Sequence, residues 1–136
     1  MKKNATDAEL FELANKAREL SYSPYSNVTV GAALMTSDGK TYTGQNIENS
    51  AFSPSVCAER VALFKAISEG ERNFSAIAVA GGKKGEAPKS SFPPCGVCRQ
   101  VMSEFVNGDF RIILSPERSY TLSELLPEGF GKEMTK

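Results

Sequence analysis

The chain contains no histidine and no tryptophan, and it has only three cysteines. Without histidine, neither a Ser-His-Asp triad nor an HExxH metal site can be built, so carboxylates remain as the natural proton carriers. Sixteen basic and sixteen acidic residues balance, which leaves no excess charge to attract nucleic acid or a membrane surface. No apolar run approaches the roughly 18 residues that a membrane span needs.

The length of 136 residues is typical of one domain whose core is large enough to need no disulfides. We therefore predict a single domain over residues 1–136. The start, Met1-Lys2-Lys3-Asn4, leads into an amphipathic segment and not an apolar stretch, so no secretory signal is expected. An odd cysteine count without an export signal favours reduced thiols and a cytoplasmic location.

The spacing of apolar residues predicts alternating helices and strands. A capping box at Thr6 and Glu9 starts a helix over 7–20, and a second box at Thr121 and Glu124 starts a short helix that ends at Pro127. Ser55 is the predicted N-cap of a helix over about 56–69. The remaining predictions are a helix over 95–106 and strands over 28–34, 42–45, 74–80 and 111–114. This order indicates an α/β layered domain with a mixed sheet.

The candidate chemistry lies in two motifs, Cys57-Ala58-Glu59 and Pro94-Cys95-Gly96-Val97-Cys98. The cysteines are expected in the first turns of two helices, where the positive end of the helix dipole favours thiolate. Three protein ligands with a fourth position open is the pattern of catalytic zinc, whereas structural zinc is normally closed by four ligands. We predict that Cys57, Cys95 and Cys98 bind Zn²⁺ and that Glu59 carries protons.

Three thiolates give a zinc site a net charge of about −1. Hydrogen bonds from Arg60 or Arg99 to the sulfurs are expected to offset part of this charge. A redox-active Cys95–Cys98 pair and a purely structural zinc site are the alternatives. The chain offers no fourth ligand of the Cys or His type, so catalytic zinc is favoured.

Cys-Ala-Glu followed by Pro-Cys-x-x-Cys is the signature of the zinc deaminases. Further blocks resemble the small homotetrameric zinc-dependent cytidine deaminases in the same order, over nearly the full length; they are residues 23–27 with 30–34, 44–49, 57–66, 94–100 and 125–127. The resemblance implies a three-layer α/β/α fold with a central mixed sheet of about five strands. It also implies a homotetramer with active sites near subunit boundaries.

The reaction implied by this resemblance is hydrolysis of cytidine and deoxycytidine to uridine, deoxyuridine and ammonia, as in pyrimidine salvage. Glu59 would take a proton from the attacking water, pass it to N3 of the ring, and then protonate the departing amino group. Deamination of polynucleotides is disfavoured because the chain is neutral and has no obvious basic groove.

By the same resemblance, Asn46 and Glu48 would bind the ribose, mainly its 3′-hydroxyl, and Ala58 would be a further substrate-binding residue. Phe130 would be an aromatic residue lent to the site of a neighbouring subunit, and Phe52 would lie at a subunit boundary.

One position departs from the family pattern: Val28 stands where an aromatic ring is usual. Valine leaves space beside the pyrimidine and removes a stacking face, at a cost on the order of 1 kcal/mol. The alternative substrate is therefore a modified cytosine nucleoside or an aminonucleoside antibiotic of the blasticidin S type. Another side chain, such as Phe52 or Phe130, is a second way to fill the gap.

Overall fold

A mixed sheet of five strands organises the chain in the computed structural model, which describes residues 4–135. Residues 1–3, part of the segment analysed for a secretory signal, and residue 136 lie outside the described residues. The strands are β1 (Val28–Thr36), β2 (Thr41–Gln45), β3 (Phe74–Lys83), β4 (Arg111–Ser115) and β5 (Arg118–Thr121). Their order is β2-β1-β3-β4-β5, with β3 and β4 parallel and the other neighbours antiparallel.

Helices cover both faces of this sheet. The helices are α1 (Asp7–Ala17), α2 (Ala58–Ser68), α3 (Gly96–Phe105) and α4 (Leu122–Leu125), with 3₁₀ turns at Arg18–Leu20 and Lys132–Thr135. Because side chains alternate along a strand, Ala33 and Met35 of β1 pack under α1, while Ala32 and Leu34 pack under α2 and α3. The three-layer α/β/α arrangement with about five strands is confirmed.

The capping boxes at Thr6 and Thr121 are present as predicted, but the predicted N-cap at Ser55 is wrong. The helix α2 begins at Ala58, with Cys57 as its N-cap. Val56 instead forms a bridge with Ile47, exchanging two backbone hydrogen bonds of 2.9 and 3.0 Å, and this pairing keeps the residue before Cys57 extended.

Other parts of the predicted secondary structure also differ from the observed elements. Helix α1 gives way to a 3₁₀ turn after Ala17, and β3 continues to Lys83 because its whole length pairs with β1. The short strand β5 was not predicted, since its mostly polar sequence forms a strand only by pairing with β4. Within residues 4–135, no helix has both the length and the apolar character to cross a membrane.

Gly44 on β2 fixes how closely α2 approaches the sheet. A Cβ atom at Gly44 would lie 2.5 Å from the backbone nitrogen of Ala62 and 2.7 Å from the carbonyl oxygen of Ala58. Since no side chain fits there, glycine allows the first turns of α2 to rest on β2. Cys57 and Glu59 are thereby held next to the end of β2, where Asn46 follows.

Candidate active site

The three cysteines come together at the N-terminal ends of two helices. Cys57 is the N-cap of α2, Cys95 is the N-cap of α3, and Cys98 lies in the first turn of α3. Their sulfur atoms all lie within 4.8 Å of one another, with Cys57–Cys95 and Cys95–Cys98 separations of 3.6 Å. Tetrahedral zinc bound to sulfur at about 2.3 Å places its sulfur ligands about 3.8 Å apart. The cluster therefore fits zinc with these three residues as ligands.

The protonation of the cluster also favours a cation. Hydrogen bonding from the Cys98 thiol and from Arg60 outweighs burial and lowers the pKa of Cys57 to about 5. Donating to Cys57, together with burial and neighbouring negative charge, raises the pKa of Cys98. Without a metal, the negative charge on Cys57 thus opposes ionisation of the Cys98 thiol. A bound divalent cation offsets this repulsion, so a metal favours the thiolate form of both Cys57 and Cys98.

The two candidate arginines have different surroundings. The Nη2 atom of Arg60 lies 3.6 Å from the sulfur of Cys57, and its Nε is buried without a hydrogen-bond partner among the described residues. Arg99 donates through Nε to the Pro94 carbonyl at 2.8 Å and through Nη1 to the Leu125 carbonyl at 2.7 Å. Arg60 therefore supports the thiolate, whereas Arg99 joins the start of α3 to the end of α4.

Glu59 is the buried carboxyl group beside the cysteines. Its side chain is only 5% exposed, and burial raises the pKa of Glu59 to about 7. A carboxyl group with a pKa near 7 can accept and return a proton at neutral pH, which is the property required of a general acid–base. Glu59 also lines a cavity of about 220 Å³, and the sulfur ligands Cys57 and Cys95 lie in the same wall.

Asn46 reaches this cavity from the end of β2 and holds β1 in place. Its Oδ1 accepts hydrogen bonds from the backbone of Val30 at 2.9 Å and from the hydroxyl of Ser21 at 2.5 Å. Its Nδ2 donates to the carbonyl of Val28 at 3.0 Å. The amide is thus fixed in orientation at the cavity by three bonds.

Glu48 is held in a similar way by the turn that precedes β1. Its carboxylate accepts the backbone N–H groups of Tyr25 at 3.0 Å and Ser26 at 3.1 Å, and it also accepts the Ser26 hydroxyl. Burial opposes ionisation, but these hydrogen bonds outweigh it and lower the pKa of Glu48. The group is therefore an ionised acceptor with a fixed position in the cavity wall.

Most of the predicted site residues line one cavity, namely Asn46, Glu48, Cys57, Ala58, Glu59 and Cys95. Phe52 and Phe130 do not line it; they are 74% and 60% exposed, and Phe52 has a left-handed φ of 59°. Five further residues that line the cavity were not predicted as site residues: Val30, Ser55, Val56, Phe92 and Pro93. Val30 belongs to one of the sequence blocks that resemble the deaminase family, and the other four lie within three residues of a predicted site residue. Nearness in the sequence is the only signal that could have indicated them.

The chain is similar to known proteins over most of its length. A family model described as "Cytidine and deoxycytidylate deaminase zinc-binding region" matches residues 4–114. A cytidine deaminase of Sporosarcina psychrophila is 48% identical over 129 residues, which cover 92% of this chain and 91% of that protein. One of Halalkalibacterium halodurans is 46% identical over 128 residues, covering 91% and 93%.

Solved structures of cytidine deaminases are also similar to this chain. The crystal structure of a cytidine deaminase from Burkholderia pseudomallei has a TM-score of 0.80 at 42% identity and covers 89% of this chain and 96% of its own. The crystal structure of one from Mycobacterium tuberculosis has a TM-score of 0.79 at 35% identity, with coverages of 90% and 94%.

Proposed function

Because the chain belongs to the cytidine deaminase family, we propose that the cavity formed by Cys57, Glu59 and Cys95 is the active site in which its nucleoside substrate reacts. The protein is an enzyme that deaminates cytidine hydrolytically, and zinc is its cofactor. A modified cytosine nucleoside or an aminonucleoside antibiotic is not favoured as substrate, since the relatives at 48% and 46% identity are cytidine deaminases. We propose that deoxycytidine is deaminated in the same cavity.

The observation that carries this assignment is that the buried carboxyl group of Glu59 lines one small cavity together with Cys57 and Cys95, two of the three clustered cysteines. Cys57, Cys95 and Cys98 would hold the zinc, and the guanidinium of Arg60 would offset part of the negative charge on Cys57. When bound, zinc supplies a Lewis acid that makes a water molecule a stronger nucleophile.

Glu59 would move the protons of the reaction. Its carboxylate accepts a proton from the attacking water and delivers it to N3 of the cytosine ring, so that oxygen adds to C4. The second proton of that water then reaches the amino group, which leaves as ammonia and gives uridine. A group with a pKa of about 7 can carry out both transfers without a large free-energy cost at neutral pH.

Release of ammonia from cytidine by the purified protein tests this proposal. We expect release that disappears after zinc removal and returns when zinc is added back. Blasticidin S, supplied under the same conditions, is the comparison substrate and should release much less. A zinc-loaded sample that releases no ammonia from cytidine would contradict the proposal, and a metal-free protein with a reversible Cys95–Cys98 disulfide would indicate the redox alternative.

For the sugar, we propose that Asn46 and Glu48 bind the ribose 3′-hydroxyl, with the ionised Glu48 as the main acceptor. A hydrogen bond to a charged group contributes about 1.5–3 kcal/mol, so Glu48→Gln should raise KM for cytidine about tenfold to a hundredfold. Deoxycytidine, which keeps the 3′-hydroxyl, should show the same increase. With 3′-deoxycytidine the variant and the unmodified protein should have nearly equal KM values, because this substrate has no 3′-hydroxyl for Glu48 to bind.

The matched control for this experiment is Glu86→Gln, the same change at an exposed glutamate in a surface loop. It should leave all three KM values unchanged. An equal effect of Glu48→Gln on cytidine and 3′-deoxycytidine would show that Glu48 does not act through the 3′-hydroxyl.

We also propose that the enzyme is a single domain over residues 1–136, that it acts in the cytoplasm in pyrimidine salvage, and that it is a homotetramer. The resemblance to the small homotetrameric cytidine deaminases supports the assembly, and both aromatic residues assigned to it are exposed on the single chain. Phe52 would lie at a subunit boundary, and Phe130 would reach the site of a neighbouring subunit. Small nucleosides, not nucleic acids, are the proposed substrates.

A further inference from the structure

Phe92 is the one aromatic side chain that lines the cavity among residues 4–135. It lies in the connection between β3 and α3, three residues before Cys95. Phe52 and Phe130, the two rings expected to fill the gap beside the base, are outside the cavity of their own chain. An aromatic contact to the flat cytosine ring from within this chain therefore has to come from Phe92.

The ring of Phe92 lies directly on the backbone of β3. A Cβ atom at Gly81 would be 2.5 Å from Cγ of Phe92 and 2.7 and 2.8 Å from its Cδ atoms. The absence of a side chain at Gly81 thus creates the space that the ring fills. Because Pro93 follows, the backbone of Phe92 is also restricted to extended conformations. The close approach to Gly81 and the restricted backbone together limit where the ring can lie.

The ring of Phe92 lines the same cavity as the residues that would serve the reaction at the pyrimidine. Gly81 pairs with Val30 of β1, and Val30 lines the same cavity. Cys95, a candidate zinc ligand, and Glu59, the proposed proton carrier, line this cavity as well. Glu48, the proposed sugar ligand, also lines the cavity and is held by the turn at Ser26. The ring thus shares the cavity with the groups that act on the base.

Val28 cannot take this role itself. It lies two residues before Val30 on the same face of β1, packs against the hydrophobic core, and does not line the cavity. Phe92 is therefore the aromatic ring that the described residues place in the cavity wall.

We propose that Phe92 packs against the pyrimidine ring of the substrate and determines how tightly unmodified cytosine is bound, an inference that rests on the proposed function. Aromatic pairs gain about 0.5–1.5 kcal/mol beyond the area they bury, and Phe92 supplies this contact in place of a ring at position 28. The gap at Val28 then does not change the class of substrate.

Phe92→Leu tests the proposal, with Phe105→Leu as the matched control. Phe105 is also a half-buried phenylalanine that packs against the same core, but it does not line the cavity. We expect Phe92→Leu to raise KM for cytidine about fivefold with little change in kcat, since stacking binds substrate and transition state alike. Binding of uridine, measured by calorimetry, should weaken by the same factor. Phe105→Leu should change the melting temperature but neither of these constants.

Gly81→Ala provides a second variant that acts through Phe92. The added methyl group displaces the ring, so KM should rise in the unmodified background but not further in a Phe92→Ala background, which has no Cγ or Cδ atoms for the methyl group to meet. Unchanged KM and uridine affinity in Phe92→Leu would overturn the proposal, as would equal effects of Gly81→Ala in both backgrounds. Failure of the proposed function is a separate result: the unmodified zinc-loaded protein would then release no ammonia from cytidine.

Discussion

Glu59→Ala is expected to remove nearly all turnover of cytidine while the protein keeps its zinc. Positioned general acid–base catalysis contributes about 100-fold to 10,000-fold, so kcat should fall by at least this range. The loss should be large because Glu59 is the buried carboxyl group beside the cysteine cluster, and the structure offers no histidine to replace it. Zinc content is measured alongside kcat. It should be unchanged, because the proposed zinc ligands are the three cysteine sulfurs and not Glu59.

Two control variants separate proton transfer from packing. Glu59→Gln keeps the size of the side chain but cannot take up a proton, so it should be as inactive as Glu59→Ala. Glu69→Ala changes an exposed glutamate at the other end of α2 and should remain fully active. Substantial activity in Glu59→Gln with a full zinc content would remove Glu59 from the proton-transfer role.

Cys98→Ser is expected to produce a protein that holds zinc poorly, melts at a lower temperature and does not deaminate cytidine. Mutation of a residue that only hydrogen-bonds to a metal ligand lowers metal affinity or activity roughly 10–100-fold. Loss of the metal ligand itself should lower zinc affinity by more than that. Stability should fall as well, because binding of a metal to the folded state contributes directly to folding. Cys98 is almost fully buried in α3, so a ligand from solvent has little access to replace its sulfur.

Zinc content after dialysis, the melting temperature and ammonia release measure this effect. Removal of zinc from the unmodified protein is the control, since all three cysteines belong to the cluster and no other cysteine is available for comparison. Zinc removal should bring the unmodified protein close to the melting temperature of Cys98→Ser. Added zinc should then restore only the unmodified protein. One zinc per chain and normal turnover in Cys98→Ser would contradict the assignment of Cys98 as a ligand.

Local sequence signals predicted much of the fold, because they depend on interactions between residues close in the chain. The capping boxes at Thr6 and Thr121 each join a side chain and a backbone group three residues apart, and both are present. The prediction failed where a distant partner decides the local conformation. Ser55 does not cap α2 because Val56 pairs with Ile47, and β5 exists because β4 lies beside it.

The sequence by itself determined the chemistry of the site. Histidine is absent and the three cysteines occur in two short motifs, so the choice of metal ligands and of a carboxylate proton carrier followed from residue types and spacing. Only the tertiary structure decided which groups meet. Cys57 and Cys95 are 38 residues apart, and it is Arg60 whose guanidinium lies beside Cys57. Phe92 enters the cavity because Gly81, on a different strand, leaves room for its ring, and contacts of this kind depend on packing between distant segments.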